Sequence, residues 1–300
     1  MRVIRRGRTA GIVAIFGLLS ACSVSSDEQP ADTRDEVTLP TFAATGQPES
    51  YAVEQEVDGG MVERSYWVQR PEGVEAPLPT VFYLHGNGGT SADWRRPGNT
   101  IDRQVQEGLF VAVYPDGHLN SWNLGAEDST ADDVTFLSDR VSELVASGVS
   151  DPDRVYVFGF SNGAGMAQRL ALSDAGFAGI ASFASQMIEG QLPDQETPAI
   201  SVLQFHGTDD GLIPYGGGSS PVGHSFLPAE ESAQIWASHN GCEAKPIETT
   251  LSKELVRLQW SGCEDGVRVE HSRWVGGGHA LPTEPDPFVI IWAFFDAVKP

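Results

Sequence analysis

Residues Arg154–Leu170 read RVYVFGFSNGAGMAQRL, and their order decides the fold. Val155, Tyr156, Val157 and Phe158 form an apolar run suited to a strand buried on both faces of a parallel sheet. After Gly163 small, apolar and polar residues recur at helical spacing. Between the two lies Gly159-Phe160-Ser161-Asn162-Gly163, a Gly-x-Ser-x-Gly pentapeptide. In a chain with 33 glycines that pentapeptide alone carries little weight. The strand-turn-helix setting strengthens it, because a sharp turn lifts a serine hydroxyl above the sheet, and glycine flanks let neighbouring backbone approach. Ser161 is therefore read as a nucleophile.

Outward from this stretch, strand-like and helix-like segments alternate. Val62–Gln69, Pro79–Leu84, Leu109–Tyr114, Phe177–Ser185, Ala199–Phe205 and Arg268–Val275 read as strands. Helices are expected over 132–146, from Pro228 toward Trp236, and over 288–298. Such alternation implies an α/β domain with a mostly parallel central sheet, helices on both faces and right-handed crossovers. Ligands then bind beyond the carboxyl ends of the strands.

A serine needs a base, and the base needs an orienting partner. His279 follows the last strand on the run Gly276-Gly277-Gly278 and is the candidate base. His85 and His206 precede glycines at strand ends, where they read as turn braces; His118, His224, His239 and His271 have no comparable setting. The acid lies in FHGTDDGLIP, residues 205–214, where Asp209 and Asp210 compete and the spacing to Ile213-Pro214 favours Asp210. Either could instead cap turn amides. Oxyanion donors are expected from the backbone N–H groups of Asn87, in His85-Gly86-Asn87-Gly88-Gly89, and of Asn162. A phosphate-cradling loop is a poor alternative, since no Gly-Lys-Ser/Thr follows. Trp94 and Trp122 follow strands on the same side and are candidates for stacking on a substrate, although packing is the favoured reading of each.

The chain ends divide differently. Arg2, Arg5, Arg6 and Arg8 precede the apolar stretch 11–19, the pattern of an export signal too short to span a bilayer. Leu19-Ser20-Ala21-Cys22 resembles a bacterial lipobox, with Cys22 as the lipidated residue; an ordinary cleaved signal is the alternative. Residues 1–21 are thus expected as the signal, 22–45 as an acidic tether, and 46–300 as one catalytic domain. The formal charge is −22, and loss of the four leader arginines makes the remainder more negative still. That argues against nucleic acid as a partner and for a soluble, monomeric surface. Cys242 and Cys263 then form an even pair in an exported chain, expected as a disulfide contributing about 3 kcal/mol.

Taken together, HGNGG at 85–89, YPDG at 114–117, SWN at 121–123, DDV at 132–134, GFSNG at 159–163, HGT at 206–208 and GGGH at 276–279 resemble the exported polyhydroxybutyrate depolymerase-like and feruloyl esterases. The resemblance spans about residues 64–280. It implies an α/β-hydrolase with a Ser161-Asp210-His279 triad in that chain order, an ester as substrate, and no metal or organic cofactor. Paired cysteines at 242 and 263 also fit it. Ala164 replaces a glycine common in that group, and Ala280-Leu281-Pro282 lacks the aromatic that often follows the histidine, so the acyl pocket is expected to differ. A feruloyl or related plant-polysaccharide ester leads as the expected substrate, with hydroxyalkanoate esters second. A non-catalytic binding lipoprotein and a serine peptidase are more remote alternatives.

Overall fold

The computed structural model of the protein describes residues 39–298. Cys22, the leader and most of the expected tether lie outside the described residues. Along the chain run β1 (Glu49–Val57), β2 (Gly60–Gln69), β3 (Leu78–Leu84), α1 (Thr100–Gln106), β4 (Val111–Pro115), α2 (Asp133–Ala146), β5 (Ser150–Phe160) and α3 (Asn162–Ala171). There follow β6 (Gly179–Phe183), β7 (Ser201–Gly207), the short pair β8 (Gly218–Ser219) and β9 (Ser225–Phe226), and α4 (Ala229–His239). Last come β10 (Ile247–Thr250), β11 (Leu255–Trp260), β12 (Val269–Trp274) and α5 (Pro287–Asp296).

Ten strands form one sheet in the order β1-β2-β4-β3-β5-β6-β7-β12-β11-β10. Its six inner strands, β4 to β12 in that order, pair in parallel, and antiparallel strands extend both edges. The fold is therefore the mostly parallel α/β sheet expected from the alternation of elements. Side chains alternate across β5: Val155 and Val157 join one apolar cluster, Tyr156 and Phe158 another. The first cluster is covered by Phe136, Leu137 and Val141 of α2, Met166 and Leu170 of α3, and Trp236 of α4. The second is covered by Ile101 and Val105 of α1 with Ile291, Phe294 and Phe295 of α5. Burial on both faces is what makes the central strands β3, β4 and β6 and the second half of β5 read as apolar runs.

The packed region starts before residue 46. Phe42 lies in the first cluster, its ring 4.8 Å from that of Tyr51, and its carbonyl accepts a hydrogen bond from Arg70. The tether reading rested on composition averaged over an acidic stretch, and one buried aromatic within it is enough to dock its end. Cys242 and Cys263 are joined as a disulfide, linking the chain just after α4 to the turn after β11.

Candidate active site

Ser161 is the residue between β5 and α3, with φ 55° and ψ −117°. A non-glycine residue at positive φ costs of order 1–3 kcal/mol and persists only when its surroundings enforce it. Here the Ser161 N–H donates to Phe183 O at 2.9 Å, and Ser161 O accepts from the amides of Ala164 and Gly165. The flanking glycines are steric necessities: a Cβ on Gly159 would lie 2.0 Å from Gly163 O, and one on Gly163 would lie 2.5 Å from His85 O. The strand, turn and helix pack too closely there for any side chain.

The ends of β7 and β12 bring two further groups to this turn. His279 Nε2 lies 2.8 Å from Ser161 Oγ, and its Nδ1 lies 2.8 Å from Asp210 Oδ2. With Asp210 ionised, Nδ1–H donates to the carboxylate, which leaves Nε2 to accept from the serine hydroxyl. Asp210 Oδ1 accepts from the amides of Leu212 and Ile213 at 2.9 and 2.8 Å, while Oδ2 also accepts from His206 Nε2 at 3.1 Å. Burial alone would push this carboxyl up, but the hydrogen bonds from His206, His279 and the two amides outweigh it and hold the group well below the usual carboxylate range. Asp209 is exposed and accepts from the Thr208 hydroxyl. The loops carrying acid and base are tied directly: Asp209 N donates to Gly277 O, and Gly276 N to Thr208 Oγ1.

Asn87 and Asn162 face the same cleft as Ser161 and His279. Neither backbone N–H donates to a protein acceptor among the described residues. The loop after β3 is held from beneath by His85, whose Nε2 accepts from Gly117 N at 2.9 Å and whose Nδ1–H donates to Gly86 O at 2.8 Å. Burial lowers the pKa of this imidazole, consistent with a neutral ring in that tautomer. The side chain of Asn162 accepts from Trp122 N at 2.7 Å and donates to Trp122 O at 2.9 Å. Asp133 pairs with Arg64 at 2.6 Å and accepts from Asn123 N, which fixes the segment after β4 that carries Trp122.

The stacking reading of Trp122 needs correction, and the packing reading holds. Trp122 is fully buried, and its Nε1–H donates to His85 O at 2.9 Å. It braces the loop and offers no face for stacking. Trp94 is packed edge-on against Phe158 and Phe288, and it borders a depression that adjoins the Ser161 cleft across Gly86, Asn87 and Phe160. A position just after a strand specifies the end of the sheet, not the direction of the ring. That cleft has a volume of about 620 Å³ and walls that include Leu119, Leu124, Ile213, Val222 and Phe226. Sequence reasoning missed two residues within it, Glu127 and His224. They lie 97 positions apart in the chain and carry no local signal.

Residues 104–227 match the Phospholipase/Carboxylesterase family. "Putative esterase NocK" of Nocardia uniformis subsp. tsuyamanensis is 30% identical over 241 residues, which cover 73% of this chain and 68% of that one. The chain belongs to the α/β-hydrolase esterases. Feruloyl esterase B of Piromyces equi is a further relative of this α/β-hydrolase, 29% identical over 232 residues; the match takes in 72% of this chain but only 42% of that enzyme's length. An acetyl xylan esterase from Aspergillus awamori shares the fold, with a TM-score of 0.58 at 14% identity, covering 82% of this chain and 99% of that one.

Proposed function

We propose that the protein hydrolyses carboxylic esters through an acyl-enzyme, with Ser161 as nucleophile, His279 as base and Asp210 as its orienting partner. The carrying observation is the unbroken hydrogen-bonded path from Asp210 through His279 to Ser161. Ser161 Oγ attacks the ester carbonyl while His279 Nε2 takes its proton. The N–H groups of Asn87 and Asn162 hold the oxyanion that forms, donors worth on the order of 3 kcal/mol each. His279 returns the proton to the departing alcohol, and water then attacks the acyl-enzyme by the same route. The acidic Asp210 stabilises the imidazolium at both stages. None of these steps calls on a metal or organic cofactor.

The acyl group is proposed to be hydroxycinnamic, as in feruloyl esters of plant polysaccharides. The apolar walls of the cleft suit a planar ring, and three relatives carry feruloyl esterase in their names. Hydrolysis of p-nitrophenyl acetate tests the activity, and a panel of methyl ferulate, acetylated xylan and hydroxybutyrate oligomers tests the class. Methyl ferulate should give the highest kcat/KM of the three. Faster cleavage of hydroxybutyrate oligomers, with clearing of polymer granules, would replace this reading by a depolymerase.

The site of action is proposed to be extracytoplasmic, with the chain held to a membrane by lipid on Cys22. The basic leader, its apolar stretch and the Leu19–Cys22 sequence support this. Mass spectrometry of the mature protein should find a diacylglyceryl-modified Cys22 as the first residue. An unmodified N-terminus at another position refutes the anchor.

A further inference from the structure

Glu127 and His224 form a polar pair in the wall of the Ser161 cleft that the hydrolytic steps leave unused. Both side chains are about nine-tenths buried, at 11% and 8% exposure. Glu127 Oε1 accepts from His224 Nε2 at 3.0 Å and from Asn162 Nδ2 at 3.1 Å. Its Oε2 accepts from the amides of Leu124 and Ala126 at 2.8 and 3.2 Å. Burial pushes this carboxyl up, but the hydrogen bonds from His224 and those amides more than offset it and leave the group below its ordinary value. Glu127 is thus an ionised carboxylate with its acceptor positions occupied, and it has little left for a ligand.

The imidazole is different. A carboxylate can only accept, so His224 Nε2 carries a proton and Nδ1 is the ring position left for another partner. Among the described residues no protein donor reaches Nδ1, although the ring lines the cleft. Nδ1 therefore offers a hydrogen-bonding position to a ligand in the cleft. We infer that His224 Nδ1 forms a hydrogen bond with a phenolic hydroxyl at the far end of the substrate's acyl group, which makes His224 a specificity-determining residue. This inference rests on the ester-hydrolase reading and names the part of the substrate that occupies this wall.

Two arguments put the hydroxyl on the acyl side. An alcohol that belongs to a polymer must run out to solvent, so it cannot end against a buried pair, whereas the acyl group is the terminus of the substrate. The intervening walls, Leu124, Val222 and Phe226 among them, suit an unsaturated ring more than a sugar. The Phe226 ring stands edge-on to His224 with centroids 6.0 Å apart, which restrains the imidazole at the wall. Glu127 also sets a sign: its negative charge disfavours acyl groups that end in a carboxylate.

The test compares kcat/KM for methyl 4-hydroxycinnamate and methyl cinnamate, two esters that differ by the hydroxyl alone. The parent protein should prefer the hydroxylated ester on the order of tenfold. In His224→Phe the preference should fall to about one. In His224→Gln, whose amide oxygen still accepts, an intermediate ratio is expected. Taking the ratio within each variant cancels any general loss of activity, and a thermal melt of each variant reports its folding. Equal turnover of both esters by the parent, or an unchanged ratio in His224→Phe, overturns the role of His224 while leaving the hydrolase reading intact. Turnover of p-nitrophenyl acetate with neither cinnamate ester cleaved overturns both this role and the hydroxycinnamate class.

Discussion

Ser161→Ala should lower kcat on any ester by on the order of 10⁵-fold or more, because the lost hydroxyl bears the covalent step and its partners cannot act without it. The residue left behind still occupies the strained turn at φ 55°, since alanine carries the same Cβ, so the melting temperature should change little. Activity without a change in folding is the informative combination. A residual rate above the uncatalysed one is expected from the oxyanion donors alone. Steady-state assays with p-nitrophenyl acetate and mass mapping of a phosphonate label check the outcome. Near-normal turnover, or a label on a different residue, would remove Ser161 from the mechanism.

The second large effect is expected at the acid. Asp210→Asn should reduce kcat by about 10⁴-fold, whereas Asp209→Asn should stay within a few-fold of the parent. The structural reason is a shortage of acceptors. Asp210 uses two oxygens to receive four donors: the amides of Leu212 and Ile213, His206 Nε2 and His279 Nδ1. An asparagine has a single oxygen, and its NH₂ group would face the imidazoles with donors of its own. His279 would then turn its lone pair toward the amide and point Nε2–H at the serine, the wrong tautomer for a base. Asp209 is exposed and meets only the Thr208 hydroxyl. Parallel kinetics of the two variants decide the matter, and the opposite ranking would transfer the role to Asp209.

Much of the inner architecture was legible because the central parallel strands β3, β4, β5 and β6 are buried on both faces and read largely as apolar runs, whereas β12, with Glu270, His271 and Arg273, does not. The edges were not. β1 alternates between half-buried and exposed positions and carries Glu49, Glu54 and Glu56, so its composition merges with the acidic stretch before it. β10 is nearly all exposed and announces itself no better. At the site, Ser161, Asp210 and His279 could be named because each follows a strand within a turn of distinctive composition. His206 was read as a turn brace; its second contact, to Asp210, depends on how the chain folds back through Ile213. For Trp122 nothing local decided between packing and stacking; its ring turns inward to His85. Glu127 and His224 were invisible for a simpler reason: they meet only when the loop before α2 and the turn between β8 and β9 come together at the cleft.

The placement of the base on the last strand has a consequence for the order in which the molecule becomes competent. Ser161 and His279 are separated by 118 residues, and β12, which delivers His279, pairs in parallel with β7 and antiparallel with β11. During synthesis at 5–20 residues per second, the serine emerges roughly ten seconds before the group that can activate it. On the proposed mechanism the elbow is an inert turn until then, and a nascent or truncated chain that ends before residue 279 should not attack an ester however well its first half has folded. Hydrolysis is therefore a readout of completed assembly, and esterase activity regained during refolding should lag behind the burial of the aromatic residues around β5.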